Sequence, residues 1–163
     1  ISGGIDIKSI LGSKSSFKGL TSSYFLKKGD EIKIINNNKP NFSFDCKSVF
    51  KIDSVLHVSK GPEFCKLKKD SLDMLFNKKF TIGVNNRMGY NFNEKLQVGL
   101  KSIISSPVLP GTIQLTPSGN IIVLHRDCQT TGGYSRILQL NEKSLNDLSQ
   151  LKIGDKIKFK LIN

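Results

Sequence analysis

The chain has no tryptophan, two histidines and three cysteines in 163 residues. Cys46, Cys65 and Cys128 are widely spaced and form no CxxC pair, so neither a zinc site nor a disulfide framework is indicated. A reducing, cytoplasmic setting is the expectation. No apolar run approaches the ~20 residues of a spanning helix. The opening ISGGIDIK has no basic leader and no apolar core, so it is not a signal peptide. An initiator methionine is also missing there, which points to a processed chain or a fragment. Neither GxGxxG nor GxxxxGK with a following Ser or Thr occurs, so no nucleotide-binding loop is read. Met74 and Met88 are not followed by lysine, as a biotin-attachment hairpin would need. Arginine is scarce too: of 25 basic residues, only Arg87, Arg126 and Arg136 are arginine.

What is present is lysine. The net charge is +12, and the lysines are spread along the chain, often beside Asn and Ser. No basic block carries interleaved aromatics, so the charge reads as a solvated surface and specific nucleic-acid binding is not expected. A hydrophobic content of 37% with ten Phe supports a real core. The length fits one domain, or one domain and part of another.

All three arginines fall between positions 87 and 136, an interval with only Lys95, Lys101, Glu94 and Asp127 as other charges. Arginine offers a planar fork suited to carboxylate, carbamate or phosphate. Structural ion pairs are the alternative. Within the interval, residues 103–140 form three apolar runs separated by two polar turns. The second turn, HRDCQTTGG, is dense in chemistry. Arg126 and Asp127 carry charge, Gln129 an amide, and Thr130 and Thr131 hydroxyls. Gly132 and Gly133 let the backbone turn through positive φ, form an anion-binding nest, or admit a ligand to the N–H groups.

Short runs and turn signals predict a mainly β fold, a β-barrel with two short helices. Strands are expected over 31–35, 49–58, 80–84, 113–115, 121–124 and 134–140, with another starting at 90–92. Helices are expected over 70–76 and 144–148, with Asp70 as a cap and Asp73 in the first turn. Residues 117–120 (PSGN) signal a hairpin. The polar NNNKPNFS, residues 36–43, reads as a linker. It separates residues 1–38, the end of an upstream β unit, from a barrel domain over 44–163. A repeat supports two similar units: LKKGDEIKI at 26–34 matches LKIGDKIKF at 151–159.

Asp127 could orient a donor or act as a base, or simply pair with an arginine. Gln129 could donate to a developing oxyanion or brace the loop. Thr130 and Thr131 could bind a carbonyl or carboxylate oxygen, or cap backbone groups. A His125–Cys128 nucleophile lacks any mark of a low-pKa thiolate. Arg87 sits in NNRMGY with Asn86 and Tyr90. Barrel sites gather loops at one mouth, so Arg87 and Arg126 are expected to share a pocket with Gln129 and Thr131.

ISSPVLPGTIQLTPSGNIIVL, DCQTTGGYSRI and NNRMGY resemble the allophanate hydrolase subunit 2 family. It is also called the KipA-like or biotin-dependent carboxyltransferase family, and it includes the C-subunit of bacterial 5-oxoprolinase. GGIDIKSILGSKSSF and LSQLKIGDKIKF also match, so the resemblance covers nearly the whole chain in order. Ser135 departs from the family's usual proline. Full-length members carry a comparable stretch before the GGID motif.

The resemblance implies a cyclophilin-like barrel. It also implies a component of an ATP-dependent enzyme that hydrolyses an amide or transfers a carboxyl group. The first expectation is the 5-oxoprolinase C-subunit, converting 5-oxoproline to glutamate with partner subunits. The alternatives are the carboxyltransferase part of a urea carboxylase-like enzyme and a non-catalytic KipA-type regulator. Expected partners are an allophanate hydrolase subunit 1-like protein (KipI-like, the 5-oxoprolinase B-subunit), the 5-oxoprolinase A-subunit, and a small carboxylate or amide substrate. No cofactor is expected in this chain; ATP or biotin would come through partners. Arg126, Asp127, Gln129, Thr130 and Thr131 are the candidate catalytic residues. Asn86, Arg87, Tyr90, Gly132, Gly133 and Tyr134 are the candidate binding residues. No metal ligands and no membrane association are expected.

Overall fold

The computed structural model describes residues 4–17, 19–21, 26–35, 52–97 and 100–162. The chain divides into two compact units, Ile1–Val49 and Phe50–Asn163. The linker expected at 36–43 and the start of the strand expected at 49–58 lie outside the described residues.

Among the described residues, the second unit contains nine strands, two α-helices and one turn of 3-10 helix, Phe64–Lys66. The strands are β1 (Val55–Lys60), β2 (Phe80–Asn85), β3 (Gly89–Lys95), β4 (Ser106–Pro107), β5 (Thr112–Leu115), β6 (Asn120–Leu124), β7 (Thr131–Gly132), β8 (Ser135–Leu140) and β9 (Lys156–Leu161). The helices are α1 (Lys69–Asn77) and α2 (Glu142–Ser149). Seven strands close into a barrel in the order β1-β8-β5-β6-β3-β2-β9, and β4 pairs only with β7. All pairs are antiparallel except β1 with β9, which closes the barrel. The fold is thus mainly β, with the expected two short helices.

Strand alternation sorts residues between the barrel's interior and its outer wall. Tyr90, Val123, Ile113 and Leu138 lie in one paired row across β3, β6, β5 and β8. All four belong to the buried core, with Phe80, Phe92 and Phe159. Those three rings pack at centroid distances of 5.4 to 6.0 Å. The next row is Asn91, Ile122, Gln114 and Arg136, again paired strand by strand. Its side chains therefore point to the outer face.

The helices begin differently from expectation. α1 starts at Lys69 after Lys68, which makes no side-chain cap. Asp70 is already inside the first turn, so its carboxylate meets the helix's positive end as a charge and does not cap it. Asp73 falls beyond that turn. α2 is capped by Asn141, whose side chain accepts from the Ser144 N–H at 2.8 Å. The Ser144 hydroxyl in turn accepts the His57 N–H at 2.7 Å, which fastens α2 to β1.

In the first unit, residues 31–35 form no strand. Ile34 makes one isolated bridge to Ile5, and the segment is exposed. The repeated turn is nonetheless present in both units. The Asp30 carboxylate accepts from Lys27 N–H at 2.7 Å, and the Asp155 carboxylate from Lys152 N–H at 2.9 Å. Gly29 and Gly154 take φ of 97° and 94°, values that favour glycine.

Candidate functional site

The two loops singled out by charge and glycine are bound together by backbone hydrogen bonds. The first follows β2 and the second follows β6. His125 N–H donates to Met88 O at 2.9 Å, and Asp127 N–H donates to Arg87 O at 3.0 Å. The Asn86 carboxamide oxygen accepts from the N–H groups of Met88 and Gly89, at 2.8 and 3.2 Å. That Asx turn shapes the first loop from within and uses only the oxygen of the Asn86 carboxamide.

Beyond these loops, the chain returns over the outer wall as a small arm, β4 paired with β7. Val108 N–H donates to Thr130 O at 3.0 Å and Ile103 N–H to Gly133 O at 2.9 Å. The arm lies over β5 at Gln114. A methyl group built on Gly132 would stand 2.6 Å from the Gln114 amide nitrogen. Gly132 is thus needed for close approach. It lies in a strand, and neither it nor Gly133 has positive φ, so the pair forms no left-handed turn.

Between arm, loops and wall is a cavity of about 250 Å3. Five carboxamides line it: Asn85, Asn86, Asn91, Gln114 and Gln129, together with Tyr134. Met88, Ile122 and Leu124 supply apolar surface, and no charged side chain among the described residues is in its lining. Gln114 is 1% exposed and its amide nitrogen has no hydrogen-bond partner. A buried unpaired donor costs about 1–3 kcal/mol, and native structures hold few of them.

Of the expected site residues, the structure brings Asn86, Gln129 and Tyr134 into this cavity. Gly132 stands behind it, against Gln114. Thr130 and Thr131 are exposed on the arm. Arg87 and Asp127 pair with each other at 3.1 Å where the two loops meet. Arg126 turns away to α2, where it bonds the Glu142 carboxylate and the Asn146 carboxamide oxygen, the latter at 3.1 Å. A pocket shared by Arg87, Arg126, Gln129 and Thr131 therefore does not form. The cavity's place is also different from the one expected: it sits on the outer wall, because the barrel interior is filled by core side chains.

Tyr90 is a correction of the same kind. It faces the core, 7% exposed, with its ring 5.4 Å from that of His125. Its neighbours Gly89 and Asn91 face the cavity. Sequence reasoning missed Asn85, Asn91 and Gln114; only Gln114 carried a signal, a carboxamide between two aliphatic residues of a short strand.

Arg136, the third arginine, is structural. Its guanidinium bonds both Glu63 carboxylate oxygens, at 3.0 and 2.9 Å, and donates to Pro107 O at 3.0 Å. Glu63 also accepts the Arg136 backbone N–H at 2.8 Å. This buried pair ties arm, barrel wall and the turn after β1 together. Arg136 holds the Glu63 carboxyl below its ordinary value of 4.5, against the opposing effect of burial.

The His125–Cys128 pair is set against nucleophile chemistry. Burial pushes the Cys128 thiol up. Burial, then the Arg126 charge, push the His125 imidazole down, so both favour neutral forms. Among the described residues, no group of His, Cys, Asp and Glu could hold a metal ion. No helix among them is long and apolar enough to cross a membrane.

The barrel fold and the sequence both have counterparts among known proteins. The family described as carboxyltransferase domain, subdomains A and B, matches residues 1–161, and the chain belongs to it. It is 29% identical to the 5-oxoprolinase C-subunit of Escherichia coli over 98% of its length, and 28% identical to that of Haemophilus influenzae over 85%. The chain spans about half of these relatives, 54% and 45% of their lengths. In fold it is similar to the crystal structure of Kluyveromyces lactis urea amidolyase. The TM-score is 0.73 at 22% identity, over 99% of this chain and 12% of that one. It is likewise similar to TTHA0988, with a TM-score of 0.71 at 24% identity, over 97% of this chain and 31% of that one.

Proposed function

We propose that this chain belongs to a 5-oxoprolinase C-subunit, and that its cavity receives the cyclic amide of 5-oxoproline. The observation that supports this best is the cavity lining: five carboxamides and a phenol, with no charge, in a chain of this family. A lactam ring is neutral, flat and rich in hydrogen-bonding capacity, and such a wall suits it. Gln129, the Asn86 amide nitrogen and the Tyr134 hydroxyl are donors for charge developing on the carbonyl oxygen.

Arg87 adjoins the cavity between Asn86 and Met88. Its side chain is 61% exposed and that of Asp127 52%, so their pair is worth only about 0–1 kcal/mol. The carboxylate of 5-oxoproline can take the place of Asp127 on the guanidinium. Asp127, once released, is a candidate base beside the site. ATP would act through the 5-oxoprolinase A-subunit, with a KipI-like B-subunit, in a cytoplasmic complex.

The test is 5-oxoproline-dependent ATP hydrolysis by the complex assembled with those two subunits. Gln129→Leu should lower it at least about tenfold, since one lost oxyanion donor costs about that or more. Full turnover in that variant, or hydrolysis indifferent to 5-oxoproline, would contradict the reading. The same uncharged lining also suits the ureido ring of a partner's biotin, which would bring a carboxyl group for transfer. Carboxyl transfer without 5-oxoproline-dependent hydrolysis would favour that second reading. Partner binding with no turnover of either kind would favour a regulator.

A further inference from the structure

We infer that Gln114 reads the amide of the ligand through a paired hydrogen bond, and that Gly132 is the space which keeps its carboxamide in place. This deepens the proposed site and rests on the cavity receiving a neutral carbonyl ligand.

Gln114 is the one fully buried member of the five carboxamides, since Asn85, Asn86, Asn91 and Gln129 are each at least partly exposed. Its amide nitrogen makes no hydrogen bond and is covered by the arm at Gly132, so a ligand reaches it as the β4–β7 arm shifts. The strand here, TIQL, is buried at every position, so leucine or methionine would pack at 114 without a stranded donor. A buried polar group without a partner is what a binding residue looks like before its ligand arrives.

The carboxamide carries a donor and an acceptor side by side. A cis amide, as in a lactam or ureido ring, carries the complementary pair. The two make a planar ring of two hydrogen bonds, in either orientation of the Gln114 amide. A carboxylate offers acceptors only and leaves half of that pairing unmade. Gly132 sets the geometry. Its φ is ordinary, so alanine fits the backbone, but the new methyl at 2.6 Å displaces the flexible end of Gln114.

The experiment is an NMR titration of the chain that follows the Gln114 side-chain NH2 resonances. The probes are 2-pyrrolidinone and N-methyl-2-pyrrolidinone. 2-Pyrrolidinone should shift the Gln114 resonances. The N-methyl analogue, which loses the N–H, should bind at least about fivefold more weakly, because a site built for a hydrogen bond rejects the analogue lacking it. Gln114→Met and Gly132→Ala should each weaken 2-pyrrolidinone at least about fivefold, with Gln114→Met melting at or above the parent. Losses below fivefold in both variants, equal binding of the N-methyl analogue, or unmoved Gln114 resonances would overturn the inference. If Gln114→Met does not fold, Gly132→Ala and the parent titration decide. Pyrrolidinone binding that depends on Gln114, in a complex with no 5-oxoproline-dependent hydrolysis, would sink the enzyme reading and leave this inference standing. Full hydrolysis in Gln114→Met would do the reverse.

Discussion

Arg136 and Arg87 both pair with a carboxylate, yet one lies mostly buried in the wall and the other lies exposed on a loop. The side chains of Arg136 and Glu63 are 19% and 11% exposed, with four hydrogen bonds between or from them. Arg87 and Asp127 are more than half exposed and share one contact. Chemistry of the pair is the same; solvent decides its role. A mostly buried pair held by several hydrogen bonds resists exchange. An exposed one is cheap to open, so opening it costs a ligand's carboxylate little.

Breaking the buried side of this comparison should give the largest effect. Arg136→Met leaves Glu63 buried and unpaired, which costs about 3 kcal/mol. Denaturant unfolding should show it directly. Loss of the bond to Pro107 O should also loosen the arm, seen as faster amide exchange at Val108 and Ile103.

Acid comes next. Glu63 is held below 4.5 in the fold, so its stabilisation is present above that value and fades as pH falls through its folded pKa. His125 is also depressed, from 6.5, so the fold binds fewer protons there than the unfolded chain and loses stability below that pH. Stability should therefore decline in two stages on acidification. Glu63→Gln should flatten the lower stage and leave the upper one.

The exposed pair should behave oppositely. Arg87→Ala should change stability by no more than about 1 kcal/mol. It should weaken 5-oxoproline by about 1.5–3 kcal/mol, the value of a hydrogen bond to a charged group, while 2-pyrrolidinone binds as before. Equal losses for both ligands would erase the distinction between the two arginines. The smallest effect should come from Arg126→Lys. Its partner Glu142 is 71% exposed in its side chain and lies on α2, away from the cavity. Binding should be unchanged and stability altered by less than about 1 kcal/mol.

Much of this was legible in the sequence where the cause is local. The turn LKxGD repeats at 26–30 and 151–155 with the same Asp-to-backbone hydrogen bond, because glycine and aspartate suffice to make it. The conformation of the residues after each turn has a distant cause. KIKFK becomes β9 because β1 and β2 flank it, whereas EIKII at 31–35 makes a single bridge. The loop pairing was foreseeable from charge and glycine.

Which residues enter the cavity was not foreseeable. Tyr90 and Asn91 differ by one position, and register alone sends one to the core and the other to the site. Gln114 was hidden in an apolar run, and only its burial without a partner marks it. Arg126 was drawn off by Glu142 and Asn146, sixteen and twenty residues on, across a helix that sequence spacing cannot orient.

A ligand that enters the carboxamide cavity on the outer wall should leave the Glu63–Arg136 wall contact undisturbed. Residue-resolved NMR titration of the chain with 5-oxoproline distinguishes the two regions. Shifts are expected at Asn86, Arg87, Gln114, Gln129 and Tyr134, with Glu63 and Arg136 unmoved. Shifts centred on Arg126 and Glu142, or none at Gln114, would contradict it.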